Sequence, residues 1–382
     1  MRKLIVLGST GSIGTQALEI ADAYPEDVRI TALSAHGNAE KLFEQVRHYR
    51  PAAAALTSGE VPIPEDVSFC QWYFGAGALT EIVRDIPCDD VLVAVAGMAS
   101  LECVMEARRM ERRVLLANKE TLVAGGQMIM PHCEVLGENP TLIPVDSEHS
   151  AIYQCLQAAQ GNPFESIILT ASGGPFRTWE KGRIMEATAA QALQHPNWQM
   201  GQKITVDSAS MFNKALEIIE AKWLFGADPH QIQVVIHPQS IVHSLVAFQD
   251  GTQLAQLGTP DMRTPIMYAM MYPRRLPAIK EKLDLCGIGS LTFEKPDTDR
   301  FPALLMAYEA MASGGAAPCI LNAANEVAVA FFLRNEISFH AIFDTVRHTL
   351  DRLSMPGDTV DDVLRADQRA RETAQLYLQS LR

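Results

Sequence analysis

The seven cysteines of this 382-residue chain form no CxxC pair, and their number is odd. That argues against a disulfide framework and against a thiolate zinc site, and it suits a reducing cytosol. No apolar run approaches the ~20 residues a bilayer crossing requires, so no membrane span is expected. Nothing like a signal or transit segment precedes the first strand-like run, Leu4-Ile5-Val6-Leu7, and a cytoplasmic protein is the expectation. Positive charge is scarce as well, leaving a net charge of −13. Nonspecific binding to nucleic acid or to anionic membrane is therefore disfavoured, and an anionic substrate must be met by local cationic groups. The chain has no internal repeat and no low-complexity tract.

What is present is ample apolar material. With 48% hydrophobic and 20% charged residues, the chain can bury more than one core, and its length calls for two or three domains. Up to residue 145, strand-like runs at 3–7, 29–33, 52–56, 91–95, 114–117 and 142–145 alternate with helix-period segments. This rhythm predicts an α/β fold beginning with a Rossmann-like, doubly wound, mainly parallel sheet. From 146 to 270 the pattern changes to an α+β domain: a helix from Ser150, strands at 167–170, 234–236, 241–248 and 253–257, a long helix at 211–225, and Asp250-Gly251 as a hairpin turn. Proline and glycine mark 271–299 as a connecting arm. Four helix-length segments, near 301–312, 319–334, 338–353 and 359–381, predict a C-terminal α-helical bundle over 300–382.

Gly8-Ser9-Thr10-Gly11-Ser12-Ile13-Gly14 stands between the first strand and the first helix. There, glycine lets the backbone approach a pyrophosphate and a helix N-terminus faces its charge. The spacing is GxxGxxG rather than the commoner GxGxxG. After the second strand comes Ser34-Ala35-His36-Gly37-Asn38, without the acid that would accept the ribose hydroxyls of NAD. An acid would repel a 2′-phosphate, so NADPH is favoured over NADH. Asn38 also reads as a plain helix N-cap, a role compatible with cofactor binding.

Asp146-Ser147-Glu148 follows the last strand of the first domain, at the sheet edge where doubly wound folds place their sites. Two acids at a helix start serve equally well as caps. A third carboxylate changes the balance, because Asn213, Lys214 and Glu217 share one face of the next long helix, opposite Leu216, Ile219 and Trp223. The bland alternative is an exposed Lys/Glu pair. Three carboxylates without a cysteine or an HxxxH pair make a hard oxygen site for Mg²⁺ or Mn²⁺. Asn118-Lys119-Glu120 ends another strand on the same edge, and Ser172-Gly173-Gly174 offers a hydroxyl and backbone donors as a phosphate cradle or as a structural turn.

At these residues the chain resembles the 1-deoxy-D-xylulose 5-phosphate reductoisomerase family along its whole length. The resemblance rests on GSTGSIG at 8–14, ANKE at 117–120, DSEHSA at 146–151, TASGGPF at 170–176, HPNWQMG at 195–201, DSASMFNKALE at 207–217, HPQSIVHS at 237–244, LGTPDMRTPI at 257–266 and NAANEVAV at 322–329. It implies Asp146, Glu148 and Glu217 as metal ligands, with Lys119 and Glu148 at the reacting end of the substrate. It implies substrate contacts from Ser147, Ser172, His195, Ser208, Asn213 and Lys214, of which Ser172, Ser208, Asn213 and Lys214 surround the phosphate. For NADPH it implies Thr10, Gly11, Ser12, Ile13, Asn118, Glu120 and Gly201. His36, Gly37 and Asn38 occupy the 2′-phosphate loop, where some family members carry a basic side chain and this chain has Gly37. His195, Trp198 and Met200 fall in the family's mobile flap, and a homodimer is the family's usual state.

The implied reaction is a metal-assisted rearrangement of a phosphorylated ketose to a branched aldehyde, followed by hydride transfer from NADPH. Two rivals remain at this level: an NADP-dependent oxidoreductase of an unphosphorylated polyol, and a noncatalytic NADPH sensor. Neither has a use for the full set of Lys119, the three carboxylates and the Ser172, Ser208, Asn213 and Lys214 group. His149 reads as a positioner of Asp146 or Glu148, and His237 as a hydrogen-bonded core histidine. For His243 both a core and a catalytic role stay open.

Overall fold

The computed structural model describes residues 1–198, 200–279 and 281–381; Gln199 of the 195–201 motif and Lys280 of the arm lie outside the described residues. The chain divides into two compact units, the first comprising Met1–Thr121, Pro131–Tyr153 and Asp261–Lys282, the second Leu122–Met130, Gln154–Pro260 and Leu283–Arg382.

The first unit is built on strands β1 (Arg2–Leu7), β2 (Val28–Ala35), β3 (Ala53–Leu56), β4 (Gln71–Phe74), β5 (Asp90–Val93), β6 (Arg113–Leu116) and β7 (Leu142–Pro144), in the order β4-β3-β2-β1-β5-β6-β7. Every neighbouring pair is parallel. Leu4, Ile5, Val6 and Leu7 are all but fully buried, as a strand covered on both faces requires. The order reverses between β1 and β5, and the glycine loop leaves β1 at that switch point. At the opposite end of the sheet Asp90, 1% exposed, accepts from Arg2 Nε at 2.6 Å and Arg113 Nε at 2.7 Å, clamping β1, β5 and β6 together. Six of the seven strands are those expected from the sequence. The seventh, β4, is a four-residue edge strand with only Tyr73 buried.

The second unit holds a four-stranded sheet, β8 (Phe164–Ala171), β9 (Ile232–Ile236), β10 (Val242–Phe248) and β11 (Gln253–Leu257), ordered β11-β10-β8-β9. β8 and β9 are parallel, whereas β10 runs antiparallel to β8 and β11. The β10–β11 hairpin turns at Asp250-Gly251, with Gly251 in the left-handed region as expected. Helices Ala303–Ser313, Ala317–Leu333, His340–Arg352 and Val360–Ser380 form the C-terminal bundle, within a few residues of their expected limits. Its core takes in aromatic rings from the sheet side: Phe176 lies 5.0 Å from Phe339, and Phe212 stacks 5.7 Å from Phe343. A helix the sequence did not reveal, Gln202–Ser210, precedes the long Phe212–Phe225 helix. One buried residue joins them, Met211, left-handed at φ 66°. Among the described residues no helix is long and apolar enough to cross a membrane.

Candidate functional site

In the first unit, each glycine of the 8–14 loop has its own geometry. A Cβ on Gly8 (φ +84°) would lie 2.4 Å from the Ala94 carbonyl oxygen, and one on Gly14 would lie 2.3 Å from that of Gly8. Both are demanded by packing. Gly11 is exposed and has more room, its Cβ position being 3.4 Å from Gly8 O. It is the N-cap of the Ser12–Ala23 helix, which has no side-chain cap and no acid in its first turn. The leading N–H groups of that helix thus remain for an anion. Lys41 Nζ donates to Thr10 O at 2.9 Å and Thr15 Oγ1 at 3.0 Å, placing a positive charge behind the loop. Sequence reasoning missed Lys41, which sits in an ordinary-looking helical turn. Asn38 caps the Ala39–Tyr49 helix, accepting from Lys41 N at 3.2 Å, while His36 Nδ1 pairs with Thr57 Oγ1 at 2.9 Å. No carboxylate occurs at 36–38.

Asn118 ties the end of β6 to the loop after β5: its Nδ2 donates to Val95 O at 2.6 Å and to Glu120 Oε2 at 2.8 Å. Its Oδ1 accepts from Thr121 N at 2.7 Å, capping the Lys119–Ile129 helix. Lys119, 7% exposed, is ion-paired with Asp146. Asp146 Oδ1 also accepts from Glu148 N at 3.2 Å, and Ser147 Oγ donates to the Glu148 carboxylate. Asp146 thus takes the capping role at the start of the Ser147–Ala158 helix. His149 Nδ1 stands 3.7 Å from Asp146 Oδ1, beyond hydrogen-bond length.

In the second unit, Ser172 follows β8 and opens a turn in which Gly173 and Gly174 take φ of +80° and +66°. A Cβ on Gly174 would meet Ser208 O at 2.8 Å, so the turn and the Gln202–Ser210 helix touch. Ser172 Oγ accepts from Gly174 N at 3.2 Å and lies 3.0 Å from His195 Nε2. His195 Nδ1 accepts from Trp198 N at 2.9 Å and Asn197 N at 3.2 Å, which leaves no room for a proton there. Burial also holds His195 down to about 4, so the ring is neutral with its proton on Nε2, donating to Ser172. The hydroxyl proton of Ser172 then remains for another acceptor. Trp198 lies 6.2 Å from the His243 ring.

The face read from the Phe212–Phe225 helix is formed as expected. Lys214 is ion-paired with Glu217, and Asn213 Nδ2 donates to Glu217 Oε1 at 2.7 Å. Glu217 is 0% exposed and Lys214 2%, which rules out the exposed-pair alternative. Asn213 Oδ1 is buried without a hydrogen-bond partner, an acceptor open to a ligand. Asn213 and Ser208 are the half-buried members of this region. His237 is a core histidine: its Nε2 accepts from Ile241 N at 3.1 Å and its Nδ1 donates to Thr292 O at 2.9 Å. Gly201, exposed, caps the Gln202–Ser210 helix without a side-chain bond.

Comparison with known proteins identifies the family. Family models described as 1-deoxy-D-xylulose 5-phosphate reductoisomerase match residues 4–126, its C-terminal domain 142–225, and the DXP reductoisomerase C-terminal domain 257–373. The 1-deoxy-D-xylulose 5-phosphate reductoisomerase of Bacteroides fragilis is 49% identical over 98% of this chain and 97% of its own. That of Phocaeicola vulgatus is 47% identical over 99% and 100%. Among solved structures, the Zymomonas mobilis enzyme in complex with NADPH superposes with a TM-score of 0.90 at 38% identity, covering 99% of both chains. A DOX-P reductoisomerase in complex with NADPH, fosmidomycin and magnesium gives 0.92 at 38% identity, covering 100% of this chain and 99% of the other. On sequence and fold alike, the chain belongs to the 1-deoxy-D-xylulose 5-phosphate reductoisomerase family.

Proposed function

We propose that this protein converts 1-deoxy-D-xylulose 5-phosphate to 2-C-methyl-D-erythritol 4-phosphate, a step of isoprenoid precursor synthesis, with NADPH as reductant and Mg²⁺ or Mn²⁺ as metal. The observation that carries the reading is the face of Asn213, Lys214 and Glu217, on which the Lys214 cation and the Glu217 carboxylate are held away from water. In this reading Asp146, Glu148 and Glu217 are the carboxylates that hold the ion. Hard oxygen donors without sulfur fit Mg²⁺ or Mn²⁺. A divalent ion held there supplies positive charge against the negative charge that develops on the substrate's ketone and neighbouring hydroxyl oxygens.

The chain's own groups then divide the work. Lys119, held by Asp146, keeps an ammonium proton at the reacting end beside Glu148 and Ser147. Ser172, Ser208, Asn213 and Lys214 bind the phosphate, and the neutral His195 aims the Ser172 hydroxyl outward. Trp198 and Met200 cover the substrate and exclude water. Thr10, Gly11, Ser12, Ile13, Asn118, Glu120 and Gly201 hold NADPH, with His36, Gly37 and Asn38 around its 2′-phosphate. The rearrangement leaves composition unchanged, and bound NADPH supplies the hydride that, with one proton, makes the aldehyde an alcohol.

In this reading residues 1–145 are the NADPH domain, 146–270 the metal and substrate domain, 271–299 an arm and 300–382 a supporting bundle. The protein works in the cytoplasm as a homodimer, a state for which the edge strand β11 offers unpaired backbone groups. The test is NADPH oxidation on adding the ketose phosphate with Mg²⁺ or Mn²⁺, repeated with a chelator. Metal-dependent turnover is expected; folded, NADPH-binding protein without turnover would overturn the reading.

A further inference from the structure

We propose that Asn325, in the C-terminal bundle, is a positioning residue for phosphate recognition, acting through Asp207 on the helix that carries Ser208. The inference rests on the reading of the site given above. Asn325 is fully buried in the Ala317–Leu333 helix, among Leu321, Ala324 and Ala328, which are equally buried. Its Nδ2 donates to Asp207 Oδ1 at 2.8 Å, and its Oδ1 has no hydrogen-bond partner. Leaving an amide oxygen buried and unpaired costs stability, whereas leucine would occupy such a place without that cost. The bond made by its nitrogen is set against that cost.

Asp207 is 1% exposed and pairs through Oδ2 with Lys203 Nζ at 2.8 Å, one turn back on the same helix. A neutral donor suits its other oxygen. An aspartate at 325 would repel it, and a leucine would leave a buried carboxylate oxygen without its donor. The contacts of Phe176 with Phe339 and of Phe212 with Phe343 hold the substrate segments against the bundle. Apolar contacts are non-directional. The hydrogen bond from Asn325 adds direction, fixing rotation of the Gln202–Ser210 helix about its axis. That rotation aims Ser208, the residue after Asp207, and Ser208 O in turn abuts Gly174 of the Ser172 turn. The buried amide thus bears directly on Ser208 and, through the contact with Gly174, on the turn that carries Ser172.

The test is steady-state kinetics of the full-length Asn325→Leu enzyme. KM for the ketose phosphate is expected to rise about tenfold, with kcat and KM for NADPH within about twofold of the parent. The double variant with Ser208→Ala is expected to show a KM no higher than Ser208→Ala alone, because both changes remove one interaction. A folded Asn325→Leu enzyme with unchanged KM, an equal rise for NADPH, or effects that multiply would overturn the proposal. If Asn325→Leu does not fold, Asp207→Ala removes the acceptor of the same hydrogen bond from the other side, and an unaltered KM there is equally fatal. Absence of turnover in the parent enzyme would sink the functional reading first, and this inference with it.

Discussion

Lys214 and Glu217 form an ion pair three residues apart on one helix, with side chains 3% and 0% exposed. Neither charge is screened by water. Replacing Glu217 by glutamine keeps size and one acceptor oxygen but removes the second acceptor, which Lys214 uses, and the charge proposed to hold the metal. Turnover is expected to fall on the order of 10³-fold, with magnesium binding by calorimetry lost in parallel. Retained metal binding would detach Glu217 from the ion.

His195 is held near 4 by burial, from an ordinary 6.5. The unfolded ring takes up its proton near 6.5 and the folded ring only near 4. Stability therefore falls as pH drops through that window, and this group contributes no pH dependence above it. A nitrogen-detected NMR titration should find the proton on Nε2 at neutral pH. A midpoint near 6.5 would contradict the effect of burial, and a proton on Nδ1 would remove the donation to Ser172.

Gly14→Ala and Gly11→Ala separate packing from cofactor binding. The first forces a Cβ to 2.3 Å from a backbone oxygen and should cost about 2 kcal/mol or more in stability. The second meets its nearest atom at 3.4 Å, so its melting temperature should hardly change while KM for NADPH rises. Equal loss of stability in both would contradict this division.

Lys41→Ala removes the cation bonded to Thr10 O. NADPH affinity should weaken about tenfold, measured by fluorescence titration, with KM for the sugar phosphate unchanged. Unaltered affinity would reduce Lys41 to a loop strut.

Asp90→Ala leaves Arg113, whose side chain is 10% exposed, without its partner. Unfolding by urea should show a loss of about 3 kcal/mol. The clamp lies at the far end of the sheet from the glycine loop, so KM for NADPH should stay put.

The doubly wound sheet and the bundle were legible because their runs are apolar and evenly punctuated. β4 was not, since an edge strand with a single buried residue carries little hydrophobic signal. The Gln202–Ser210 helix hid behind Ile204, Thr205, Val206 and its serines, poor helix formers held by tertiary contacts. Asn213, Lys214 and Glu217 could be grouped from spacing alone, being neighbours on one helix. The Lys119–Asp146 pair and the Asn325–Asp207 bond join residues far apart in sequence, and local periodicity contains no trace of them.

Met211 confines the change of direction between two helices to one left-handed residue. Such a joint sets a phase. Insertion or deletion of one residue there would turn everything downstream by about 100°, swinging Asn213, Lys214 and Glu217 away from Ser208 while leaving every side chain intact. Length at this position should therefore be less negotiable than identity, and libraries that vary it should yield inactive proteins, many of them unfolded because this helix is buried on most of its faces.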